Sequence, residues 1–87
     1  MYVLIVYDVG EKRVQKVCKL LRHYLNWIQN SVFEGEITPA KLKEIQIKLK
    51  KIMNKENDSF IIYEFRTDKA FKRKIMGKEK SPIDVFL

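Results

Sequence analysis

Residues 3–8 read Val-Leu-Ile-Val-Tyr-Asp, an apolar run that ends in one carboxylate, with Glu11, Lys12, Arg13 and Lys16 close behind. Two kinds of chemistry fit Asp8. Asp8-x-x-Glu11 has the spacing of a capping box, in which the Asp accepts a backbone N–H at a helix start and the Glu reaches back. The end of a buried strand is also where the sites of α/β proteins collect. A hard oxygen donor there can hold Mg2+, or Mn2+ in its place, while Lys12, Arg13 and Lys16 bind phosphates, as metal-assisted phosphodiester cleavage requires. A single carboxylate is a poor cation site, and no other acidic residue is placed by spacing to join it. A two-fold dimer would bring together Asp8 from each copy.

Other chemistry-bearing residues are few. Cys18 is the one cysteine, so no internal disulfide forms, and His23 is the one histidine, so no zinc-type Cys/His cluster exists. Cys18 lies in an apolar stripe and reads as a small core residue. His23 lies beside a basic helix face and reads as a surface residue.

The elements that position these residues follow from periodicity. Residues 2–7 are predicted to form a strand buried on both faces. Over residues 12–25 the spacing becomes helical, with Val14, Val17, Cys18, Leu21, Tyr24 and Leu25 on one stripe and Lys12, Arg13, Lys16, Lys19 and Arg22 opposite. Residues 26–37 are strand-like, either one bent strand or two divided by a turn or bulge at Gln29-Asn30-Ser31. Thr38 as N-cap and Pro39 at the first helical position open a second helix, whose buried stripe is Leu42, Ile45, Leu49, Ile52 and Met53. Asn54–Asp58 is a polar break, and Ser59–Arg66 forms a further strand. The tail, 67–87, is basic and ends in Pro-Ile-Asp-Val-Phe-Leu, expected as a short edge strand that packs on the sheet of another protomer.

The order β-α-(ββ)-α-β predicts an α+β chain of ferredoxin-like βαββαβ architecture with an additional C-terminal strand. At 87 residues it has room for one domain spanning 1–87. A chain this short buries only about 60% of its unfolded surface, so a homodimer is expected on stability grounds. There is no signal-peptide pattern and no apolar stretch near the roughly 20 residues that span a bilayer. The expected location is the cytoplasm, with no membrane partner. The formal charge of +7 and pI of about 9.6 fit a nucleic-acid partner, and equally a lysine-rich solvated surface.

Taken together, the strand ending Val-Tyr-Asp, the basic first helix, Gln-Asn-Ser-Val-Phe-Glu-Gly-Glu-Ile at 29–37 and Asp-Ser-Phe-Ile-Ile-Tyr-Glu-Phe at 58–65 resemble the second universal CRISPR-associated protein family. The resemblance runs from residue 2 to about residue 65. It implies a ferredoxin-like homodimer that accompanies the CRISPR integrase in spacer acquisition. It also implies Mg2+-dependent endonuclease activity on single-stranded RNA or double-stranded DNA, with Asp8 as catalytic metal ligand. Other family positions fall on Tyr7, Arg13, Ser31 and Phe33: Arg13 on phosphate, Ser31 and Phe33 at a dimer cleft, with Phe33 equally readable as core. Trp27 departs from the pattern, standing where many members carry an arginine. It would stack on a base or pack against a partner.

Three readings compete with the nuclease: a non-catalytic dimeric scaffold bridging integrase dimers on duplex DNA, a toxin-type ribonuclease of the same fold, and an RNA-recognition module. The last lacks its aromatic strand motif here.

Overall fold

A computed structural model describes residues 1–81. Chain order is β1 (Tyr2–Asp8), α1 (Glu11–Arg22), β2 (Asn26–Gln29), β3 (Val32–Glu36), α2 (Pro39–Ile52) and β4 (Ser59–Phe65), followed by a 3-10 turn at Asp68–Ala70. The strands form one antiparallel sheet in the order β2-β3-β1-β4, the ferredoxin-like arrangement expected from the sequence. No helix among the described residues is long and apolar enough to cross a membrane. The strand expected within 82–87 lies outside the described residues.

β1 runs through the middle of the sheet and alternates strictly. Val3, Ile5 and Tyr7 are buried, Tyr2, Leu4 and Val6 are half-buried, and Asp8 is exposed. The expectation of a strand buried on both faces is therefore corrected. The core that receives Val3, Ile5 and Tyr7 also holds Val17 and Leu21 of α1, Phe33 of β3, and Leu42, Ile45 and Leu49 of α2. Successive strand residues point to opposite faces, so Leu4, Val6 and Asp8 share the other one. Phe33 is fully buried, and its truncation to alanine would cost about 3–5 kcal/mol. That is a large part of a small domain's stability.

Local chemistry explains most boundaries. Thr38 Oγ1 accepts the Lys41 amide at 3.1 Å and Pro39 opens α2, as predicted. α1 ends at Arg22, before Tyr24 and Leu25, and Val14 at its start is 38% exposed rather than in the buried stripe. The segment 26–37 is a hairpin. Asn30 takes the left-handed conformation (φ 43°) that asparagine tolerates in tight turns, and the β2–β3 register is irregular between Trp27 and Gln29. Trp27 packs against the core and its indole N–H donates to the Asn30 carbonyl at 3.0 Å. It holds the hairpin while staying partly exposed.

Beyond β4 the chain returns as a strap across the open face of the sheet. The Phe71 ring lies 5.5 Å from Tyr2 and 4.7 Å from Phe65. Arg73 Nη1 meets Glu34 Oε2 at 2.6 Å, and the Tyr2 hydroxyl donates to the same oxygen at 2.7 Å. Burial, then the Glu34 carboxylate, push the Tyr2 hydroxyl well above the usual phenol range. A cleft of about 410 Å3 remains between the strap and Leu4, Ile28, Val32 and Glu34. Farther across this face Ile61 and Tyr63 stay about half exposed.

Arg73 is thus the strap's ionic anchor to a buried carboxylate. Arg73→Ala should speed tryptic cutting at Lys72 and Lys74 about tenfold, through local opening of the strap, with a smaller effect on global unfolding. Unchanged cutting would show that Phe71 alone holds it.

Candidate active site at the end of the first strand

Asp8 closes β1 and is exposed. It pairs across the sheet with Ser59, the first residue of β4. On the other side the Tyr7 amide donates to the Ser31 carbonyl at 3.1 Å, bringing the hairpin tip alongside. Asp8, Ser31 and Ser59 therefore gather at one end of the sheet. Tyr7 and Phe33 support this end from the opposite face: their rings stack at 6.2 Å, and Phe60 lies 5.7 Å from Tyr7. Burial first, then the neighbouring Cys18, raise the Tyr7 phenol above its ordinary pKa. Phe33 lies in the core and lines no cleft.

The capping box read from Asp8 and Glu11 does not form. The N-cap of α1 is Gly10, and no side chain of its own caps that helix. The cap comes from Asp58, in the loop before β4. Its Oδ1 accepts the Gly10 amide at 2.9 Å and Arg13 Nη2 at 2.9 Å. Its Oδ2 accepts Arg13 Nε at 2.5 Å and the Asn54 amide at 2.9 Å. Arg13 holds the Asp58 carboxyl well below the usual carboxylate range, helped by the Asn54 and Gly10 amides.

Arg13, expected on a phosphate, thus presents its Nε and Nη2 edge to Asp58. Lys12 and Lys16 are exposed and form no ion pair with another described residue. Sequence reading missed Asp58, which looked like part of a polar loop. Its only local signal was an acidic residue directly before a strong strand.

Asp8 is an exposed hard oxygen ligand of the kind Mg2+ takes. No cluster of three or more His, Cys, Asp or Glu side chains suited to a metal exists among the described residues. Asp58 is committed to its four donors. The described residues of one chain thus offer such an ion a partial ligand set at this end of the sheet.

Fold and site together define a ferredoxin-like α+β protein that presents one exposed carboxylate at the end of its central strand, beside a basic helix. Residues 1–73 match the family model described as CRISPR associated protein Cas2, and the chain belongs to that family. It is 52% identical over 87 residues to the CRISPR-associated endoribonuclease Cas2 of Methanothermobacter thermautotrophicus, covering 100% of this chain and 96% of that relative. A crystal structure of a Cas2 superposes with a TM-score of 0.87 at 50% identity, covering 94% of this chain and 92% of the other. Streptococcus pyogenes Cas2 superposes with a TM-score of 0.80 at 34% identity, covering 88% and 100%.

The Asp58 site sets an acid dependence. Its carboxyl has a lower pKa folded than unfolded, so the stabilisation it gives is fully present above the unfolded value near ~4 and is lost as pH falls toward the depressed folded value. Between pH 6 and pH 3 the wild-type Tm should therefore drop more than that of Asp58→Asn. Parallel curves would remove Asp58 as a source of the acid sensitivity.

Proposed function

We propose that this chain is a divalent-metal-dependent endonuclease of the CRISPR spacer-acquisition machinery, acting as a homodimer in which Asp8 of both copies forms the catalytic and metal-binding centre. The observation that carries this reading is Asp8 itself: exposed, free of helix capping, and on the same sheet face as half-buried Leu4 and Val6. A second copy laid on that open face would cover exposed Ile61 and Tyr63 and bring a second Asp8 toward the first. When bound, Mg2+ (or Mn2+) supplies a polarised phosphate and an activated water. The chain's own residues do the rest. Asp8 provides the oxygen donor, and Ser59, its cross-strand partner, is a hydroxyl able to orient a sugar-phosphate, with the Ser31 turn alongside. Lys12 and Lys16 hold the neighbouring phosphates.

Single-stranded RNA is the first substrate to test, because the relatives are named endoribonucleases. Double-stranded DNA is the second, and the CRISPR integrase is the proposed protein partner. A scaffold without cleavage is the second reading, and the unpaired basic surface favours it. Lys12, Lys16, Lys19 and Arg22 of α1 suit a phosphate backbone whether or not Asp8 cuts it.

Asp8→Asn should lower Mg2+-dependent cleavage of labelled single-stranded RNA or duplex DNA by about 100-fold or more, with nucleic-acid affinity changed less than about threefold. Equal activity of mutant and wild type would remove Asp8 from the chemistry, and no cleavage by either would leave the scaffold. Replacing Lys12 and Lys16 together with alanine should flatten the dependence of log K on log salt by roughly 0.7 per lost contact on single strands. An unchanged slope would place the phosphates elsewhere.

A further inference from the structure

α1 begins at Gly10, which has no side chain, yet its amide has a partner. Asp58, 48 positions along the chain, accepts it at 2.9 Å. Asp8 stands two residues before Gly10. At that spacing an Asp side chain readily folds over the N–H two residues on, as an Asx turn. Two carboxylates are therefore rivals for one amide, and in this fold Asp58 has it.

The geometry favours Asp58 on two further grounds. The absence of a side chain at Gly10 lets the Arg13 guanidinium fold back, since a Cβ there would collide with it. Arg13 then meets Asp58 through both Nε and Nη2, and the Asn54 amide completes the set. The Asp58 side chain is fully buried with every polar contact made, and Arg13 neutralises its charge. Asp58 also directly precedes Ser59, the strand partner of Asp8, so the loop that carries it is fixed to the same end of the sheet.

We propose that Asp58 is a positioning residue: by holding the Gly10 amide and the Arg13 guanidinium, it keeps the Asp8 carboxylate out of a local turn and leaves it available as an oxygen donor. The consequence for cleavage rests on the function proposed above. The competition for the Gly10 amide does not. In Asp58→Ala the freed amide captures Asp8. In Asp58→Asn the remaining carbonyl oxygen still accepts the amide, and Asp8 stays open.

The test is a stability cycle. Asp8→Ala should shift the Tm of the wild-type protein by no more than about 3 °C, as an exposed residue does. In the Asp58→Ala background it should cost a further 4–8 °C or about one helix cap, and in the Asp58→Asn background it should again cost little. The same Asp8→Ala shift in all three backgrounds overturns the proposal. Should Asp58→Ala fail to fold, hydrogen exchange decides. Asp8→Ala alone should leave Gly10 amide protection unchanged, and loss of protection would mean that Asp8 already shares the cap. Mn2+ broadening of the Val9 amide resonance gives a separate readout, expected to need about tenfold more Mn2+ in Asp58→Ala and to recover in Asp58→Asn. Equal weakening in both variants would indicate general loosening and sink the positioning role. A wild type that cuts neither RNA nor duplex DNA while the cycle is non-additive defeats the nuclease reading alone. A wild type that cuts while the cycle is additive defeats this one alone.

Discussion

A buried carboxylate with four donors holds this small fold together at the end of the sheet that carries Asp8. Asp58 ties the β1–α1 turn to the α2–β4 loop through the amides of Gly10 and Asn54 and the guanidinium of Arg13. An uncompensated charge in that position would be strongly destabilising, because desolvation is recovered only through paired charge and directed hydrogen bonds. Here all of those are present. The two crossings that a βαββαβ chain makes at this end of the sheet are thereby fixed relative to each other. The strand end that carries Asp8 inherits that rigidity without spending its own carboxylate on it.

The second constraint is one of area. Two helices cover one face of a four-stranded sheet, and the only described segment over the other is a strap pinned by Phe71 and Arg73. The pins lie at the Tyr2–Phe65 end, whereas Asp8 pairs with Ser59 at the opposite end of the same two strands. The apolar positions farther along, Val6, Ile61 and Tyr63, form a surface that water solvates poorly. Under the proposed reading a partner copy lies on the part of this face that the strap leaves open, which includes Ile61 and Tyr63. Packing and chemistry would then place the same demand on one surface.

How much of this was legible in the sequence depended on distance along the chain. The Thr38-Pro39 start of α2 was readable because a cap and its target amide sit three residues apart. The core stripes were readable from their period, and Asp8 stood out because a charge ends an apolar run. Asp58 was not readable, since the Arg13 and Gly10 groups it holds lie 45 and 48 positions away and its place directly before a strong strand is a weak signal. Arg13 looked equivalent to Lys12 and Lys16, because formal charge does not reveal which cation has a buried carboxylate waiting for it. The apolar run of β1 likewise could not separate a strand covered on both faces from one that keeps a face for another molecule. The Glu34–Arg73 pair escaped notice for the same reason as Asp58.

These long-range contacts also bear on the choice between enzyme and scaffold. A scaffold needs a stable basic surface, and exposed lysines on α1 and α2 would supply it whatever residue ended β1. It does not need an acidic residue at position 8, where a negative charge opposes a phosphate backbone on an otherwise cationic chain. Nor does it need Gly10 to be capped from a distant loop, because Asp8 stands at the right spacing to do so locally. A carboxylate that is electrostatically unhelpful for binding and relieved of its nearest structural task is best explained by a task of its own. Under the proposed reading that task is oxygen ligation of a divalent cation, which its chemistry suits.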